Sequence, residues 1–149
     1  MNTIEETAAL KRMAGYCARG ERSRFDVYEK LKKMEFDSPT IARILNTLQT
    51  EGFIDDERFC RSFVNDKLRF NKWGRLKIAQ ALAFRKISSE IVYRCLDEID
   101  EDEYMDILRK IIAAKKRSVK GKDKWDVEAK LIRFAASRGF EMHHIKQCL

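Results

Sequence analysis

Bases and aromatic rings alternate within one short stretch of this chain, residues 67–77. The stretch reads Lys-Leu-Arg-Phe-Asn-Lys-Trp-Gly-Arg-Leu-Lys and contains five bases and no acid. Because lysine and arginine pair with phosphates and aromatic rings stack on unpaired nucleobases, this composition predicts contact with a single-stranded polyanion. The predicted contact residues of the stretch are Lys67, Arg69, Lys72, Trp73, Arg75 and Lys77.

The aromatic residues of this stretch have a second interpretation, in which they close the hydrophobic core between two helices and the bases are only solvated. We expect Phe70 in this core, whereas both interpretations stay open for Trp73. For the bases, contact and simple solvation likewise both stay open.

A second basic stretch, residues 109–124, holds eight lysines or arginines against one aspartate. This density exceeds what solubility requires, so the stretch also predicts contact with a polyanion. The formal net charge of +7 favours the same kind of partner, although only weakly. The predicted contact residues here are Lys115, Lys116, Arg117, Lys120, Lys122 and Lys124.

The remaining chemistry-bearing residues predict no enzyme, no metal site and no cofactor. Residues 97–106 hold seven acids, but they lack the glycine and the alternating spacing of a calcium loop, so we expect a solvated face that caps a helix. His144 and Cys148 are four residues apart on a predicted helix, yet two ligands do not complete a zinc site. The chain has no glycine-rich phosphate loop and no catalytic constellation.

The elements that position these residues follow from a repeat. Apolar side chains recur at the same four offsets in three stretches, which are spaced by 51 and 53 residues. Along the chain as a whole, apolar residues recur at spacings of three and four residues, which is typical of helices. The three sets are Leu31-Phe36-Ile41-Leu45, Leu82-Ile87-Val92-Leu96 and Ala135-Phe140-Ile145-Leu149.

This pattern predicts an all-α fold, in which three tandem three-helix repeats form an elongated, curved molecule. The predicted blocks are residues 1–54, 55–100 and 101–149. Arg24 and Arg75 occupy the same offset in the first two blocks, so we add Arg24 to the predicted contact residues.

Local signals predict where several helices begin and end. Ser23, with Asp26 three residues later, predicts a capping box. Ser38 is predicted to cap the following helix, with Pro39 at its first position. Residues 118–124 are the predicted loop before the last two helices.

The cysteines and the chain's hydropathy predict a cytoplasmic protein. No two of the four cysteines form a Cys-x-x-Cys pair, and Cys95 and Cys148 share their offset with Ile44, which predicts small buried side chains. Free thiols fit a reducing compartment. The first residues lack the pattern of a signal peptide, and no apolar run is long enough to cross a membrane.

The segment Gly52-Phe53-Ile54-Asp55-Asp56-Glu57-Arg58-Phe59 resembles the signature of the RecX family, small bacterial regulators of the RecA recombinase. Trp73-Gly74-Arg75, Lys77-Ile78 and Arg138-Gly139-Phe140 extend the resemblance over nearly the whole chain. One departure is Arg85-Lys86-Ile87, where the family often has Lys-Gly-Ile. Without that glycine, the geometry of the turn stays open.

The resemblance implies tandem three-helix units, which agrees with the repeat. It also implies binding to RecA recombinase, or to its nucleoprotein filament on single-stranded DNA, with inhibition of filament growth, strand exchange and ATP hydrolysis. The expected protein is a monomer with no cofactor and no membrane partner, and its binding to single-stranded DNA alone is weak. Two alternatives stay open: a sequence-specific helix-turn-helix-like DNA-binding regulator, and an adaptor that binds only protein.

Overall fold

The computed structural model describes residues 3–149, and within them the chain forms nine α-helices and no strand. We group the helices in threes as unit one (α1–α3), unit two (α4–α6) and unit three (α7–α9). The helices are α1 Ile4–Ala18, α2 Arg24–Lys33, α3 Ser38–Thr50, α4 Asp56–Arg69, α5 Arg75–Phe84, α6 Ser89–Asp97, α7 Glu101–Ser118, α8 Lys124–Ser137 and α9 Met142–Gln147.

Side-chain caps begin most of these helices. The predicted capping box is confirmed, since Ser23 accepts from the Asp26 amide and the Asp26 carboxylate accepts from the Ser23 amide. The prediction for Ser38 is wrong, because the neighbouring Asp37 caps α3 by accepting from the Thr40 amide. Ser38 is therefore already helical. The predicted loop at 118–124 is confirmed, with α7 ending and α8 beginning at its two ends.

The second helix of every unit ends at a left-handed residue. These residues are Glu35 (φ 66°), Lys86 (φ 56°) and Gly139 (φ 94°), and each lies four residues after the repeat's first apolar position. In unit two the next amide, that of Ile87, bonds back to the Leu82 carbonyl. Lys86 thus adopts the conformation that a glycine adopts more easily, and the departure from the family pattern leaves the turn intact.

Two hydrophobic cores hold the nine helices together. One lies entirely within unit one, between Ala9 and Ile54 in the sequence. The other is shared by units two and three and includes Leu68, Leu108 and Phe140. The accessible surface of 9563 Å² exceeds the about 7,900 Å² expected for a compact monomer of this mass, as befits an elongated molecule. The predicted block boundaries at 54/55 and 100/101 stay a prediction.

Phe70 is not part of the core. Its side chain is 80% exposed, because α4 ends at Arg69 and Phe70 is already the capping residue. Trp73 packs partly buried against the core in its place. Among the cysteines, Cys95 is buried as predicted and Cys148 is half-buried.

Units two and three meet where the backbone of Gly74 touches that of Gly139. A Cβ atom built on Gly74 lies 2.5 Å from the Gly139 carbonyl, and one built on Gly139 lies 2.4 Å from the Lys77 Cβ. Unit three also satisfies the first amides of α5. The amides of Gly74, Arg75 and Leu76 donate to the Arg138 carbonyl (2.7 Å), the Tyr104 hydroxyl (3.0 Å) and the Gly139 carbonyl (3.0 Å).

The joint between units one and two involves the repeat positions equivalent to those of the joint between units two and three. Side chains, however, make the contacts here. The Arg24 amide, equivalent to that of Arg75, donates to the Asp56 carboxylate at 2.9 Å. The rings of Phe25 and Phe84 meet edge-to-face with centroids 5.8 Å apart. This joint leaves the core of unit one separate from the other.

None of the helices between residues 3 and 149 is long and apolar enough to cross a membrane.

We predict that Gly74→Ala destabilises the protein by about 2 kcal/mol, because the added methyl group overlaps backbone atoms that cannot move independently. Thermal unfolding followed by circular dichroism measures this as a fall in Tm of about 4–8 °C. The matched control is Gly15→Ala in α1, where the added Cβ meets nothing within 4 Å and helix propensity predicts a rise in Tm. An unchanged Tm in Gly74→Ala would contradict the close contact.

Candidate nucleic-acid interface

The two arginines of the 67–77 stretch are bound by acids from elsewhere in the chain. Arg69 pairs with Glu103 at 2.7 Å, and its hydrogen bond lowers the pKa of that carboxyl group. Arg75 pairs with Glu101 at 2.7 Å and with Glu141 at 3.3 Å. The acidic run at 97–106 is therefore more than the solvated face predicted from the sequence, since it neutralises arginines of unit two.

Arg75 also forms part of the joint between units two and three. Its guanidinium lies 4.0 Å from the centroid of the Tyr104 ring, and only 19% of its side chain is exposed. Tyr104 is fully buried, and its hydroxyl donates to Glu141. Burial raises the pKa of Tyr104, so the hydroxyl stays protonated and can donate. The setting of Arg75 is that of a structural residue.

His144 belongs to the same joint. Its Nε2 lies 3.2 Å from Glu101 Oε1, and its ring packs against Tyr104 with centroids 5.7 Å apart. Among residues 3–149 no cluster of three or more His, Cys, Asp or Glu side chains is arranged to hold a metal ion.

The lysines of the stretch are arranged differently. Within the described part of the chain, Lys67, Lys72 and Lys77 have no carboxylate partner. Trp73 lies between two of them, with the ammonium groups of Lys67 and Lys77 at 4.9 and 4.6 Å from its ring. Cation–π contact positions these charges without neutralising them. Lys72, at φ 58°, donates its ammonium group to the Arg69 carbonyl.

Phe134 of α8 and Arg138, the residue that caps the C-terminal end of α8, connect the two basic stretches. The Phe134 ring lies between Lys115 and Arg138, each with its charged group 5.2 Å from the ring centroid. The Arg138 Nη1 donates to the Asn71 carbonyl at 3.3 Å, next to the first stretch. Segments far apart in sequence therefore lie side by side.

Phe63 extends the pattern towards unit one. Its ring centroid lies 5.4 Å from the Lys67 ammonium and 5.0 Å from the Arg85 guanidinium. Arg85 pairs with Asp26 of unit one at 3.5 Å. We call this surface the cation–aromatic track, and its members are Arg85, Phe63, Lys67, Trp73, Lys77, Arg138, Phe134 and Lys115.

The other predicted contact residues are not members of this track. Arg24 is half-buried and donates to Asn46 Oδ1 (3.0 Å) and Gln49 Oε1 (2.7 Å), neutral groups that leave its charge in place. The remaining predicted bases are exposed and, within residues 3–149, have no carboxylate partner. They are Lys116, Arg117, Lys120, Lys122 and Lys124.

Sequence reasoning missed Phe63, Arg85, Phe134 and Arg138 as members of this surface. Phe134 and Arg138 do carry a signal, because an aromatic residue and an arginine four positions apart share one face of a helix. Phe63 is partly packed against the core.

The nine helices between residues 3 and 149 form three units with a cationic surface lined by aromatic rings, which is the architecture of a helical-repeat protein. Residues 55–96 match the family model for "RecX, second three-helix domain", and residues 101–149 match that for "RecX, third three-helix domain". These matches cover more than half of the chain, which therefore belongs to the RecX family.

Relatives from bacteria agree with this assignment. The regulatory protein RecX of Prosthecochloris aestuarii is 30% identical over 151 residues, covering 100% of this chain and 96% of the relative. That of Clostridium tetani is 34% identical over 125 residues, covering 83% of this chain and 57% of the relative. The chain thus spans only somewhat more than half the length of such clostridial relatives.

Solved structures share the fold. The crystal structure of RecX from Lactobacillus salivarius superposes with a TM-score of 0.86 at 17% identity, covering 96% of this chain and 93% of the other. A further crystal structure of regulatory protein RecX gives a TM-score of 0.88 at 20% identity, covering 96% and 70%.

The track generates a prediction about salt. We expect weak binding to single-stranded oligonucleotides. In a plot of the logarithm of the association constant against the logarithm of the salt concentration, the slope should be about −0.7 for each phosphate neutralised. The double variant Lys67→Glu/Lys77→Glu removes two such contacts and should make the slope less steep by about 1.4. Fluorescence anisotropy over a salt series measures it.

The control variant is Lys11→Glu/Lys33→Glu, which makes the same change in net charge at exposed positions of unit one. Equal slopes in the two variants would mean that net charge alone, and not the track, determines binding. Arg75 is left unchanged in this design, since a carboxylate there would face Glu101 and Glu141.

Proposed function

We propose that this protein binds RecA recombinase and its nucleoprotein filament on single-stranded DNA, and that it inhibits filament growth, strand exchange and ATP hydrolysis. Membership of a family of regulatory proteins supports the proposal. The observation that carries it is the cation–aromatic track, which runs from the joint of units one and two into unit three.

The shape of the molecule fits a fibrous partner. An elongated chain of units can lie along a filament and make several weak contacts at once, and linked contacts raise the total affinity far above that of each alone. A single isolated strand offers fewer of these contacts, which agrees with the weak binding expected for single-stranded DNA by itself.

The chemistry of the track fits exposed nucleotides. The lysine charges remain free for phosphates, and rings such as Trp73 and Phe134 lie between them at the level of the surface. Bases stack on such rings with little regard to sequence. Bound along a filament, the protein would obstruct the addition of recombinase monomers or the entry of a duplex. No catalytic residue is needed for this role.

We predict that substoichiometric amounts of the protein slow the DNA-dependent ATPase of RecA, because one bound molecule at a growing end affects many subunits. The measurement is steady-state phosphate release on single-stranded DNA, with filament length followed by electron microscopy. The Lys67→Glu/Lys77→Glu variant should inhibit less than the Lys11→Glu/Lys33→Glu control.

An equimolar amount that leaves both ATPase rate and filament length unchanged would defeat the proposal. Selective binding to one duplex sequence would favour the DNA-binding regulator in its place. Binding to recombinase that is independent of salt and of both lysine substitutions would favour the adaptor that contacts only protein.

A further inference from the structure

Equivalent clefts lie at the two joints between units. The first has a volume of about 360 Å³, and Arg24, Phe25 and Leu45 line it. The second has a volume of about 660 Å³ and is lined by the residues 51 positions later, Arg75, Leu76 and Leu96. Four repeat positions line both clefts, and the other lining residues of each come from different positions.

The charges of the two clefts differ. Lining the first are Arg85, which is paired with Asp26, the cation Lys86 and one acid, Asp56. The second is lined by three acids, Glu90, Asp97 and Glu141.

The two arginines at the second cleft are already neutralised. Arg75 is paired with Glu101 and Glu141, and Arg94 with Glu57 at 3.0 Å. Glu90 and Asp97 are exposed and, among the described residues, have no cationic partner. The second cleft is therefore locally acidic in a protein whose net charge is +7.

Apolar side chains are exposed in the same cleft. Leu76 is 59% exposed and Tyr93 is 73% exposed, although both lie on helices that bury other residues well. We call this second cleft the acidic groove. Large apolar side chains grouped in a groove mark an interaction surface more than scattered ones do.

We propose that the acidic groove is a docking site for a basic segment of a partner protein, one that carries apolar side chains between lysines or arginines. Leu76 and Tyr93 would receive the apolar side chains. Glu90 and Asp97 would pair with the bases and orient the segment, since complementary charge at the rim of an interface selects the partner and its register. Nucleic acid is disfavoured there, because its phosphates would face unpaired carboxylates.

This surface is distinct from the cation–aromatic track, so the protein would hold two partners of opposite charge at once. The proposal goes beyond the proposed function and does not depend on it, because its test requires neither recombinase nor DNA.

The test uses a fluorescein-labelled peptide composed of leucine, lysine and alanine, arranged as an amphipathic helix, with a second peptide in which glutamate replaces lysine. We expect the basic peptide alone to bind, as measured by anisotropy. Glu90→Lys/Asp97→Lys should weaken its affinity about tenfold or more, equivalent to about 1.4 kcal/mol. Leu76→Ser/Tyr93→Ser should weaken it to a similar degree.

The control is Glu5→Lys/Asp106→Lys, which makes the same change in net charge at exposed positions of α1 and α7. Circular dichroism of each variant checks that the helices remain. The proposal fails if the basic peptide does not bind, if the glutamate peptide binds equally well, or if the control variant loses as much affinity as the groove variant.

Discussion

The first amides of α5 need acceptors, and they find them in unit three. This single requirement brings Gly74 against Gly139, where neither position has room for a side chain. It also places Arg75 over Tyr104 and between two carboxylates. Because these contacts are backbone hydrogen bonds and buried polar groups, they fix one orientation of units two and three. The shared core and the cation–aromatic track, which crosses this joint, both depend on that orientation.

The arginines and the lysines at this joint have different roles. Arg69 and Arg75 pair with glutamates of α7, as suits a planar guanidinium that bonds two oxygens at once. The lysines beside them lie over aromatic rings and keep their charge available. Among the described residues, the acidic residues of unit three thus pair with these two arginines of unit two and leave its lysines without a carboxylate partner. The outcome is a cationic surface on one part of the joint and, where acids outnumber free bases, an acidic groove on another.

Much of the fold could be predicted because its signals are local. Repeated apolar offsets and the box at Ser23 depend only on neighbouring residues. Ser38 was predicted as a cap in place of Asp37 because both residue types cap well and the sequence does not rank them. Phe70 was placed in the core because its exposure depends on the residue at which α4 ends. The candidate site was predicted only as two stretches, since the pairing of Arg69 with a glutamate 34 residues away is visible only in three dimensions.

The separation of the two cores has a consequence for synthesis on the ribosome. The described core residues of unit one lie between positions 9 and 54, so all the side chains of this core are available soon after position 54 emerges from the exit tunnel. The core of unit two can close only later in synthesis, because Ala135, Phe140 and Ile145 complete it. At elongation rates of about 5–20 residues per second, its apolar faces stay uncovered for several seconds. During that interval the nascent chain is the form of this protein most in need of a chaperone.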